Sequence, residues 1–182
     1  HGVFRRQRQM CIRDRQYMKQ ISIKGKHNIN LINGNKDNEF RNVATYEEPP
    51  ISEQINLVNK YFMNFEDENT PHLKGEITRK INGYKSQDVK KNIYDEKKLV
   101  NMDNVLEKLV ACKLKCYYCR NLVKVLFTKV RDDQQWTLDR IDNDICHSNS
   151  NTVICCLKCN LQRRVKNSND FVFTKQLKIK KV

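Results

Sequence analysis

Two C-x2-C pairs, Cys116-Tyr-Tyr-Cys119 and Cys156-Leu-Lys-Cys159, are separated by 36 residues, and no other feature constrains the chain more tightly. Zinc prefers four thiolates in a tetrahedron at about 2.3 Å, and a C-x2-C turn puts two sulfurs on one side of a tight knuckle. Two such turns complete a four-cysteine site. Four protein ligands leave no open position for a reacting water, so the expected role of the metal is structural. Seven of the eight cysteines lie between Cys112 and Cys159, a clustering shared by disulfide scaffolds and intracellular metal sites. The N-terminus has no apolar signal region, which favours metal. Cys112, Cys146 and Cys155 are expected to be small buried side chains, with Cys112 an alternative ligand.

The 182 residues suit one domain with an attached arm, and 38% hydrophobic against 31% charged residues implies a thin core that needs a staple. The formal charge of +14 is unevenly placed: residues 112–182 carry +9 and residues 1–15 carry +4, leaving +1 for the middle. Such a localised excess points to an acidic partner, most often a phosphate backbone, or else to a merely solvated face. No apolar run approaches a membrane span. The expectation is an intracellular, cytoplasmic or nuclear protein that does not engage a membrane; its oligomeric state is left open.

Residues 1–15 include Met10-Cys-Ile-Arg-Asp-Arg15, which resembles a translated transposon end used in preparing sequencing libraries. That places the native start near Gln16. Residues 16–72 read as a weakly ordered arm with turn signals at Asn33-Gly34 and Pro49-Pro50, interrupted by one helix around Ile51–Phe65. Residues 73–111 read as a helical segment. A helix or helix pair over Ile77–Tyr94 is expected to break at Gly83. A second helix is capped by Asn101 and carries the stripe Met102, Val105, Leu106, Leu109 and Val110.

Within residues 112–182, Leu122–Phe127 and Trp136–Ile141 have the β-branched and aromatic content of strands. Asp142-Asn-Asp144 reads as a turn, Asn151–Cys155 as a further strand and Leu157–Lys166 as a helix that starts at the second knuckle.

The ordered set Cys116-x2-Cys119, Leu138-Asp-Arg-Ile-Asp-Asn143, His147-x3-Asn151 and Cys156-x2-Cys159-Asn160-x3-Arg164 resembles the HNH, or ββα-metal, endonucleases. The similarity is to their zinc-bearing, recombination endonuclease VII-like branch and covers about residues 112–166. The stretch from Lys80 to Tyr118 and the Leu-Asp-Arg-Ile-Asp-Asn string are also similar to proteins of large DNA viruses.

The resemblance implies an α+β fold with a ββα-metal core and a four-cysteine zinc site, preceded by helices and a loose arm. It implies a metal-dependent endonuclease acting on DNA. Asp139 and Asn160 would hold a catalytic divalent cation, Mg2+ or another. Asn151 would brace the loop across the hairpin. The family carries a general-base histidine directly after the aspartate, where this chain has Arg140. Arginine does not release its proton in a protein, although it can clamp a phosphate or offset developing charge. His147, the single histidine of residues 112–182, or a metal-bound hydroxide would then activate water.

Each residue also has a plainer role. Asp139 can be one half of an ion pair, Asn160 a local bridge, His147 a structural loop residue, and Arg163, Arg164 and Lys166 a solvated face rather than phosphate contacts. Two other functions therefore stay open: a catalytically silent DNA-binding module, and a zinc module that binds proteins.

Overall fold

The computed structural model describes residues 46–177 together with Ser22 and Ile29. The chain divides into two units, His1–Glu39 and Phe40–Val182, and the second holds every element considered below. The leader expected over 1–15 and, apart from Ser22 and Ile29, residues 16–45 of the arm expected over 16–72 lie outside the described residues.

The described elements are α1 (Ile51–Phe62), α2 (Thr70–Lys90), α3 (Met102–Ala111), β1 (Trp136–Arg140), β2 (Thr152–Cys156), α4 (Leu157–Arg163) and α5 (Ser168–Gln176). They form a mixed α+β fold around one two-stranded antiparallel sheet, in register Trp136↔Cys156 to Arg140↔Thr152. Helices α1, α2 and α3 share a single core with the hairpin, through Leu57 and Val58, Leu73 and Ile77, Val105 and Leu109, and Trp136, Leu138 and Ile154.

The α3 helix forms as its sequence suggests. The Asn101 side chain accepts from the Asn104 backbone, the Asn104 side chain answers on the Asn101 backbone, and Val105, Leu106 and Leu109 are buried. The α2 helix differs from expectation. It runs unbroken for 21 residues through Gly83. A glycine costs a helix about 1 kcal/mol relative to alanine, and burial of Leu73, Ile77 and Tyr84 on one side of α2 outweighs it.

The strand expected over Leu122–Phe127 is absent. Leu122 and Lys124 make only isolated bridges, with Lys115 and Gln135, and from Val125 onward the backbone is satisfied by side chains of the preceding segment instead. Gln54, fully buried in α1, accepts from the Val125 and Leu126 backbones and donates to the Leu126 carbonyl. The Tyr46 hydroxyl accepts from the Phe127 backbone, and Glu48 accepts from Thr128. With its polar groups paired this way, the segment needs no neighbouring strand. The same bonds correct the expected arm: from Tyr46 onward the chain is docked on the rest of the fold, so an arm reaching residue 72 does not hold. Helix α5 was not anticipated. It starts at an Asn167 cap and buries Phe171 edge-on against Tyr118. No described helix is long and apolar enough to cross a membrane.

Candidate functional site

The ligand atoms of Cys116, Cys119, Cys156 and Cys159 all lie within 4.8 Å of one another. The Cys119 and Cys156 sulfurs are 3.9 Å apart, close to the edge of about 3.8 Å that a tetrahedron with 2.3 Å zinc–sulfur bonds demands. The first knuckle closes because Cys116 donates its backbone N–H to Asn121, Arg120 donates back to Cys116, and Arg120 takes a left-handed φ of 62°. The second sits at the start of α4, where the Cys156 sulfur accepts from the Cys159 backbone. The thiols cannot all ionise as they stand. A hydrogen bond with Cys156 pulls the Cys116 thiol down, whereas burial, and then the charge on Cys116, push the Cys159 thiol up. A cation is what lets four sulfurs carry charge together, and the donor set fits zinc. Cys112, Cys146 and Cys155 stand outside this cluster.

Strand alternation divides the hairpin chemistry. Thr137 and Asp139 turn toward α4, where the Asn160 amide donates to the Thr137 hydroxyl at 3.1 Å and Arg163 meets Asp139. Trp136 and Arg140 turn the other way, toward α2: Lys80 lies over the Trp136 ring and Arg140 approaches Asp88 at 3.7 Å. Between α2 and α4, across β1, opens a cleft of about 600 Å3. Asp139, Arg140, His147, Asn160 and Arg164 all line it. So do Arg79, Lys80 and Lys91 on the α2 side, which the sequence did not single out.

His147 is held on three sides. Its Nδ1 is 2.7 Å from Asp88 Oδ1, its backbone N–H donates to Asp88 Oδ2 at 2.8 Å, and its ring stacks on Tyr84 with centroids 4.6 Å apart. Burial lowers its pKa, and the Arg140 charge adds to this, against an opposing pull from Asp88. The imidazole is therefore neutral at physiological pH. Tyr84 also accepts the Leu138 backbone N–H, which ties α2 to β1.

Asn151 is buried at the base of the 141–146 loop. Its Oδ1 accepts from Asp142 and its Nδ2 donates to the carbonyls of Asp142, Ile145 and Cys146. Asn160 bridges α4 to β1.

Asp139 sits differently from the expected cation ligand. Arg163 grips it with Nε on Oδ2 at 2.5 Å and Nη2 on Oδ1 at 3.0 Å, and the Tyr118 hydroxyl donates to Oδ2 at 2.6 Å. Burial, and then this bond to Asp139, push the Tyr118 pKa up, so it remains a donor. A hard divalent cation needs carboxylate lone pairs and uncompensated negative charge. At Asp139 both oxygens are engaged and the charge is matched by a guanidinium, so Asp139 with Asn160 does not fit a catalytic cation in this arrangement.

Arg163 is accordingly no surface contact. It is 1% exposed and also donates to the carbonyls of Arg140 and Lys166 and to Asn143. Its donors turn inward onto Asp139, Asn143 and two carbonyls rather than outward to a phosphate backbone. Arg164, exposed with a φ of 51°, turns into the cleft, whereas Lys166 lies on the neighbouring surface beside Lys175.

Asp88 is the main residue the sequence reading missed. It follows Tyr84 by one helical turn and is 0% exposed. An acidic group on an inward helical stripe was the available signal, since carboxylates are almost never fully buried unless paired. Its hydrogen-bond partner His147 lies 59 residues downstream. Compared with known proteins, the chain matches no family model, no curated protein and no solved structure.

Proposed function

We propose that this chain is an HNH-type endonuclease, a zinc-stapled hairpin-and-helix module that binds DNA in the cleft between α2 and α4 and hydrolyses its phosphodiester bonds. The observation that carries this reading is His147, backed by Asp88 and lining a cleft that also holds Arg79, Lys80, Lys91, Arg140 and Arg164. Phosphodiester hydrolysis needs a group that accepts a proton from water and positive charge beside the phosphate. Both are provided by this chain's own side chains. Zinc at the four cysteines would hold β2 and α4 to the first knuckle and supply no chemistry.

A second reading has its own support. The Arg163 fork on Asp139 occupies the carboxylate that the HNH resemblance assigns to a cation, which favours a DNA-binding module without cleavage.

The test is a cleavage assay with zinc-loaded full-length protein on linear, nicked and branched DNA, with Mg2+, with Mn2+ and without added divalent metal. Cleavage that is lost in His147→Ala supports the endonuclease. Retention of DNA without cleavage under all conditions selects the silent module, and no affinity at low salt overturns both.

A further inference from the structure

We propose that Asp88, on α2 outside the hairpin-and-helix module, is the positioning residue that makes His147 a base by fixing which ring nitrogen carries the proton. This rests on the endonuclease reading.

The geometry leaves little choice of tautomer. Asp88 is fully buried and uses both oxygens on one residue: Oδ2 accepts the His147 backbone N–H at 2.8 Å and Oδ1 faces Nδ1 at 2.7 Å. A carboxylate only accepts, so Nδ1 must carry the ring proton. In a neutral imidazole the lone pair then belongs to Nε2. Among the described residues no partner takes Nε2, and His147 lines the basic cleft. Tyr84 stacks flat on the ring, with an interplanar angle of 23°, and blocks its rotation. Arg140 stands 3.7 Å from the same Asp88 oxygen. The aspartate thus holds both the arginine at the end of β1 and the histidine that the loop brings round to the cleft.

The step it prepares is balanced with water alone. Nε2 takes a proton from a water whose oxygen forms a bond to phosphorus. The ester P–O bond breaks, the leaving oxygen is protonated by solvent, and the imidazolium returns its proton to solvent. Arg164, exposed at the cleft, is placed to offset the charge that develops on the phosphoryl oxygens.

Replacing Asp88 by asparagine separates positioning from packing. The asparagine carbonyl must still accept the His147 backbone N–H, because that group can only donate. Its NH2 then faces Nδ1, which has to become the acceptor, and the proton moves to Nε2. Shape and burial are retained while the lone pair turns away from the cleft.

The experiment uses the full chain loaded with zinc. Long-range proton–nitrogen correlation of the histidine rings, assigned with His147→Ala, reads the tautomer without reference to activity. Single-turnover cleavage of duplex DNA reads the chemistry, and zinc content with the unfolding midpoint reads the fold. The expected result is a proton on Nδ1 in the wild type and on Nε2 in Asp88→Asn. Cleavage should fall by about 10² to 10⁴ in Asp88→Asn and in His147→Ala, with the double variant no slower than either single one. A wild-type ring protonated on Nε2 overturns the proposal even if Asp88→Asn does not fold. So does a flipped tautomer with an unchanged rate. A wild type with the Nδ1 proton that cleaves no DNA overturns the endonuclease reading and the base role together, a result separable from failure of Asp88 alone.

Discussion

Arg163 and Asp139 form a two-point fork buried between α4 and β1, with Nε on Oδ2 at 2.5 Å and Nη2 on Oδ1 at 3.0 Å. Nη2 also donates to the Arg140 carbonyl and to Asn143, and Nη1 donates to the Lys166 carbonyl. One side chain therefore fastens the end of β1, the loop after it and the turn after α4.

Removing one partner of this pair leaves a buried charge without compensation, so Arg163→Met should lower stability by about 3–5 kcal/mol. The double variant Asp139→Asn with Arg163→Met should lose less than Arg163→Met alone, because no charge is stranded. Denaturant unfolding of the three proteins checks this. Equal losses in the single and double variants would show that the fork does not act as a pair.

Zinc removal should unfold the module. The four thiols gather where few other staples exist, and in small metal-stabilised modules metal binding is folding free energy, with apparent values of about 10–16 kcal/mol for structural zinc in short peptides. Metal analysis should find one zinc per chain, and Cys156→Ser should abolish it. A reduced, folded protein without zinc would contradict this.

Gly83 lies within α2 at the wall of the cleft, and a Cβ built there meets nothing within 4 Å. Gly83→Ala should therefore raise stability by about 0.5–1 kcal/mol through lower unfolded-state entropy. The midpoint should rise by about 2–4 °C. A fall would mean that the added methyl group is not accommodated.

Acid should act through His147. Its pKa in the fold is below that of the unfolded chain, because burial, and then Arg140, oppose its charge. The folded state thus binds its proton less readily than the unfolded state. Its stability is complete above about pH 6.5 and declines as pH falls toward the lower folded value. Asp88 and Tyr84 from α2 and Arg140 and Asp139 from β1 are the ionisable groups around it. His147→Gln should flatten this part of the stability profile relative to wild type, in denaturant titrations between pH 7.5 and roughly 5. Parallel profiles would remove His147 as the cause.

DNA affinity should be set by the cleft cations. Lys91→Ala and Arg164→Ala should each reduce the slope of log affinity against log salt by about 0.9. Arg163→Lys should leave that slope unchanged, since Arg163 is enclosed. A slope unaltered in Lys91→Ala and Arg164→Ala would place the binding surface elsewhere.

The sequence by itself determined whatever is set by local spacing. The cysteine pairs are knuckles because two residues separate the thiols in each, and α3 forms because its cap and apolar stripe lie within eleven residues. The β1 and β2 strands were legible for the same reason, to within one residue at their ends. Only the tertiary structure decided what each polar group faces. Gln54 takes the backbone of a segment 72 residues away and removes a strand that propensity predicts. Asp88 meets His147 across 59 residues, and Arg163 claims Asp139 across 24. No periodicity records such partners, because a buried charge selects its counterpart by proximity in the folded core, where desolvation makes leaving it unpaired too costly.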